Sequence, residues 1–167
     1  FTRFMQSSGE DISNGRFIMW LLAIEEFVNN PIVGLGWQGY RYSYAENLFV
    51  AGNYAGGEYL EGFKYLDTHN VYLQVLCETG IIGFVFFLMA IILPLLTALR
   101  LVRIYLNDHN VVLIRQLAFS IGIQIFMLVY CFTGCCINDI TFLIYMMAIT
   151  TVASINFLDH KRNVYAK

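Results

Sequence analysis

From Ile81 to Leu99 the chain runs for about 19 residues without a charged side chain. A helix rises about 1.5 Å per residue, so this run covers the roughly 30 Å hydrocarbon core of a bilayer. In lipid, backbone N–H and C=O groups must be satisfied by the protein itself, and a helix does this within one segment. The run therefore predicts a transmembrane helix, with a kink at Pro94. Two further apolar stretches, about 115–132 and 140–158, predict a second and a third span. Composition agrees. The chain is 58% hydrophobic and 13% charged, with mean hydropathy +0.60, whereas soluble domains sit nearer half and a quarter. A net charge of −2 gives no electrostatic footprint for nucleic acid.

Basic residues set the expected orientation. Arg100, Arg103 and Arg115 flank the connection after the first span, the turn 133–139 has no basic residue, and Lys161, Arg162 and Lys167 follow the third span. Lys and Arg in short loops mark the cytoplasmic side. Residues 1–80 are thus expected outside the cytoplasm and the C-terminus inside. The chain begins at Phe1 with no signal-peptide pattern and reads as the C-terminal part of a longer membrane protein. The expected fold class is all-α: an extracytoplasmic loop with short amphipathic helices (1–80), then a transmembrane region with a cytoplasmic tail (81–167).

The first 80 residues divide by local signals. Ser13 or Asn14 can cap a helix starting near Arg16. Phe17, Trp20, Leu21, Ile24 and Phe27 recur at helical spacing, with Glu25 and Glu26 on the other side. Asn29-Asn30-Pro31 ends the helix, because a residue before proline is biased away from helix. The helix is too short and too charged to span, so it is expected on a membrane-proximal surface. Gly34, Gly36 and Gly39 around Trp37 mark a turning loop. They match GxGxxG, but no strand precedes them and no helical pattern follows, so a dinucleotide site is not expected. Tyrosines punctuate 40–64, suited to sugar rings or to the bilayer interface.

Candidate chemistry is sparse. Residues 1–80 contain nine acidic residues and four cations, Arg3, Arg16, Arg41 and Lys64. Arg16, at a helix start, suits phosphate, since a guanidinium grips phosphate oxygens as a fork and the helix dipole adds to it. Its structural alternative is an ion pair with Glu10 or Asp11. His69 is the one histidine expected outside the membrane, and imidazole takes and returns protons near neutral pH. A satisfied structural histidine is the alternative. Asn70 has the position of a helix N-cap. Glu78 is a second acid–base candidate or a solvated or capping carboxylate. Asp67, Glu58 and Glu61 cannot be ranked. Cys77, Cys131, Cys135 and Cys136 form no Cys–His set at zinc spacing, so no metal site is expected and buried free thiols are the plain reading.

Several pieces together resemble a known family. They are Gly15-Arg16 with Trp20, then Asn30-Pro31-Ile32-Val33-Gly34-Leu35-Gly36, then His69-Asn70 with Tyr72-Leu73, then Glu78-Thr79-Gly80-Ile81-Ile82-Gly83. In this order and spacing they resemble the O-antigen ligase and polysaccharide polymerase family of bacterial membrane proteins. The resemblance covers about 14–87. It implies a metal-independent glycosyltransferase, without cofactor, in the bacterial cytoplasmic membrane. Such an enzyme transfers a glycan from a polyprenyl diphosphate to a hydroxyl of an acceptor glycan. By matching position, Arg16 would hold the diphosphate and His69 would act on the acceptor hydroxyl. Trp20, Trp37, Asn70 and Tyr72 would line the substrate. The family's further arginine has no clear match here. The long aromatic loop leans towards a polymerase. A non-enzymatic transporter or flippase is the alternative. It would carry polar groups at mid-membrane depth, where this chain offers few, among them Gln124 and Asn156.

Overall fold

The computed structural model describes residues 16–43, 67–134 and 140–165. The possible caps Ser13 and Asn14, most of the tyrosine-rich loop, and Cys135 and Cys136 lie outside them. The elements are α1 (Arg16–Asn29), α2 (Val71–Asn107), α3 (Val111–Tyr130) and α4 (Ile140–Tyr165). A helical turn at 39–43 stands between α1 and α2, and no strand occurs among the described residues. The chain is all-α. Three of its helices are long and apolar enough to cross a membrane. It forms two compact units, Phe1–Val85 and Phe86–Lys167.

In the first unit, α1 starts and stops where the spacing and Pro31 place it. Its inward face differs from the expected one. Met19, Leu22 and Ala23 are buried with Tyr40 and Cys77, and Phe27 and Leu73 pack against them. Phe17 and Ile24 are about half exposed. Apart from Glu25 and Glu26 the helix is apolar on most sides, so its own periodicity does not choose the buried stripe. Packing chooses it: the Tyr40 hydroxyl donates to the Met19 carbonyl at 2.9 Å.

α2 has 37 residues, about 55 Å of helix, well beyond a bilayer core. Its departure from helical dihedrals lies at Gly80 (φ 65°, ψ −170°), not at Pro94. Gly80 divides a short segment that carries the polar Gln74 and Glu78, 71–79, from the apolar run that begins at Ile81. The break frees backbone groups, and the loop 31–36 takes them up. Ile81 N–H donates to the Pro31 carbonyl (2.9 Å), Leu35 N–H to the Cys77 carbonyl (2.9 Å), and Gly36 N–H to the Glu78 carbonyl (2.8 Å). Every buried backbone group needs such a partner. The two backbones meet so closely that side chains are excluded. A Cβ on Gly34 would overlap the Glu78 carbonyl, and one on Gly80 would overlap the Ile32 carbonyl.

In the second unit, Ala98, Leu101 and Tyr105 of α2 form a core with Leu117 of α3 and Val152 and Ile155 of α4. Pro94 lacks an N–H, which leaves the Ala90 carbonyl without its helical donor. The Tyr145 hydroxyl of α4 points at that carbonyl over a long 3.5 Å. A neighbouring helix thus relieves the proline defect, as membrane bundles permit. Arg162 near the end of α4 pairs with Asp108 in the turn before α3, at 2.7 Å.

Candidate functional site

The site is a four-residue turn, 67–70, at the start of α2. Asn70 caps the helix: its side-chain oxygen accepts from Leu73 N–H at 3.2 Å and its carbonyl from Gln74 N–H at 3.0 Å. Thr68 is fully buried. Its hydroxyl accepts from Asn70 N–H (3.1 Å) and donates to the Asn70 carbonyl (2.6 Å). The Thr68 carbonyl accepts from Trp20 Nε1 at 2.9 Å. His69, between two pinned neighbours, adopts φ 51° in the left-handed region. Its ring is half-buried.

Asp67 opens the turn and is gripped from outside it. Arg41 Nε reaches Asp67 Oδ1 at 2.7 Å, and the terminal Nη2 reaches Oδ2 at 3.0 Å. This side-on, two-point pair lies mostly out of solvent, with side chains 17% and 16% exposed. Gln74 Nε2 lies 3.4 Å from both Asp67 Oδ1 and Glu78 Oε1. Glu78 is 3% exposed, so its carboxyl is not solvated. It accepts from the backbone N–H groups of Gln38 and Tyr40, at the start of the 39–43 turn. Burial pushes its pKa up, while those N–H groups and Gln74 pull the other way. Glu78 thus caps a different element from its own, which is why its position beside a helix does not reveal its role. The neighbouring Cys77 is buried, donates to the Gln74 carbonyl, and is pushed up to about 12 by burial and by Glu78. Such a thiol is inert at physiological pH.

The other candidates sit as follows. Arg16 is exposed, on the first residue of α1. Trp20 lies four residues on, hence on the same helix face and about 6 Å further along the axis. Through its indole, the start of α1 is joined to the residue next to His69. Tyr72 is half-buried on the first turn of α2. Trp37 is 64% exposed on the glycine loop, whose residues Gly36 and Gln38 have positive φ. Glu10 and Asp11, the alternative partners of Arg16, lie outside the described residues. Arg41 and Gln74 escape a reading by motif. Arg41 lies in a tyrosine loop with no spacing signal, and Gln74 matters only because it faces Asp67 and Glu78 at once.

Among the described residues, the first part of the chain thus consists of a helix carrying Arg16 and Trp20, a glycine clasp, a capped His–Asn turn and a glycine break. A family model for O-antigen ligase matches residues 2–88. The chain belongs to the O-antigen ligase family. This membership covers the whole of the turn, the clasp and the start of the first span. The comparisons with curated proteins and with solved structures gave no match.

Proposed function

We propose that this member of the O-antigen ligase family transfers a glycan from a polyprenyl diphosphate to a sugar hydroxyl, on the outer face of a bacterial cytoplasmic membrane. Arg16 meets the charge of the departing diphosphate. His69 orients or deprotonates the acceptor hydroxyl, and Trp20, Trp37, Asn70 and Tyr72 border the substrate. The donor is already activated, so the enzyme needs charge stabilisation and a placed nucleophile. In this reading arginine supplies the charge and no metal is required. The observation that supports it most is the Trp20–Thr68 hydrogen bond, which ties the arginine-bearing helix to the histidine turn across 48 residues of chain. The apolar run beginning at Ile81, one residue past the Gly80 break, suits a lipid-carried donor. The basic residues around the spans favour the outward placement.

The test is made in the full-length protein. Arg16→Ala and His69→Ala, each checked for normal abundance in the membrane, should each lower polymer or ligated product by about 10²-fold or more. Glycan of normal length and amount with both variants would refute the assignment.

A further inference from the structure

We propose that Arg41 and Asp67 are positioning residues: with Gln74 and Glu78 they close a ring that fixes the angle at which the His69 turn leaves the protein. The inference rests on the site reading above and adds residues to it. The ring can be followed step by step. The Asp67 carboxylate receives two N–H bonds from Arg41. Arg41 stands on the 39–43 turn, whose leading N–H groups, from Gln38 and Tyr40, bind the Glu78 carboxyl. Gln74 joins Glu78 back to Asp67. Three separate pieces of chain meet in one loop of polar contacts, and His69 is two residues from its corner.

The backbone of His69 does not argue for this by itself. His109, also followed by asparagine, has the same left-handed φ, 53°, so the local conformation belongs to the turn. What sets His69 apart is how its lead-in is held: Asp67 by a two-point pair with Arg41 mostly out of solvent, and Thr68 by Trp20, whereas Asp108 beside His109 meets Arg162 at one exposed contact. A flexible lead-in would let the ring of His69 swing, and displacements near 1 Å in a reacting group cost up to about 10²-fold in rate. A two-point arginine–carboxylate pair restricts angle as well as distance, which a single contact does not.

The test uses the full-length enzyme with a synthetic polyprenyl-diphosphate oligosaccharide donor and measures kcat, KM and thermal unfolding. Asp67→Asn takes a carboxylate away from the partly buried Arg41 and can destabilise the fold. The double variant Arg41→Gln/Asp67→Asn removes both charges and keeps a neutral hydrogen-bonded pair. The expected result for the double variant is a kcat lowered roughly tenfold or more, with donor KM within about twofold and little change in melting. A wild-type kcat, a rise in KM at unchanged kcat, or unfolding of both variants overturns the inference. His69→Ala is run beside them. If it is inactive while the double variant is fully active, the positioning role alone falls. If His69→Ala is itself fully active, the site reading falls and takes this inference with it.

Discussion

The tripeptide His-Asn-Val occurs twice, at 69–71 and 109–111, and the two copies fold alike and differ in nearly everything around them. In both, the histidine takes a left-handed φ, the asparagine side chain accepts from the leucine N–H three residues on at 3.2 Å, and a long helix begins at the valine. Each turn even has an Asp–Arg pair beside it. The Asp108–Arg162 pair is open to solvent, with Arg162 63% exposed, and His109 and Asn110 are exposed. The Asp67–Arg41 pair is enclosed. One and two turns further into the helices, Gln74 and Glu78 correspond in position to Ile114 and Ala118. The same local code makes a solvent-exposed connection in one place and the anchored turn of the candidate site in the other. The difference is enclosure: around the first turn the polar side chains are turned out of solvent, whereas Arg162, also from a distant helix, meets Asp108 in the open.

The sharpest way to break this comparison is on the two rings. His69→Ala should abolish glycan product, by about 10²-fold or more, while His109→Ala should leave it unchanged; equal effects would mean the two turns are functionally alike. A middle-sized effect is expected at Glu78, which has no counterpart beside His109. Its folded pKa is raised, chiefly by burial, so the folded state holds its proton where the unfolded chain has lost it. The stabilisation is present below the ordinary carboxylate range and is lost as pH rises through the raised value. Glu78→Gln should therefore flatten the pH dependence of unfolding over that window, while Ala118→Gln should not; an unchanged slope in Glu78→Gln would show that the carboxyl does not set it. The smallest effect compares the caps. Asn110→Ala should cost about 1 kcal/mol in thermal unfolding. Asn70→Ala should cost at least as much, because Asn70 is buried. A smaller loss at Asn70 would show that the tertiary ring adds nothing to the turn.

Gln124 marks a second contrast within the apolar helices. It is fully buried on α3, and neither polar atom of its amide has a hydrogen-bond partner among the described residues. It is one of the few polar groups in the spans, which the transporter reading would need in number.

Much of the architecture was legible in one dimension because the bilayer makes it so. A run such as Ile81–Leu99 has one low-energy form in lipid, and Pro31 and the capping asparagines end or start helices through local sterics and local hydrogen bonds. Arg16, Trp20, Gly34, His69, Asn70 and Gly80, which carry the family resemblance, could be read because they stand in a fixed order and spacing along the chain. The buried stripe of α1 could not be read, because a helix apolar on most sides is oriented by its neighbours. The break at Gly80 rather than Pro94 could not be read either. A lone glycine before an apolar run gives no sign that the 31–36 backbone will lie against it, and the Tyr145 hydroxyl that faces the carbonyl freed by Pro94 comes from 55 residues away. Sequence by itself determined where the helices are and which turn precedes the first apolar span. Tertiary structure alone decided that Arg41, Asp67, Gln74 and Glu78 share one ring, because long-range polar contacts leave no periodic trace in the chain.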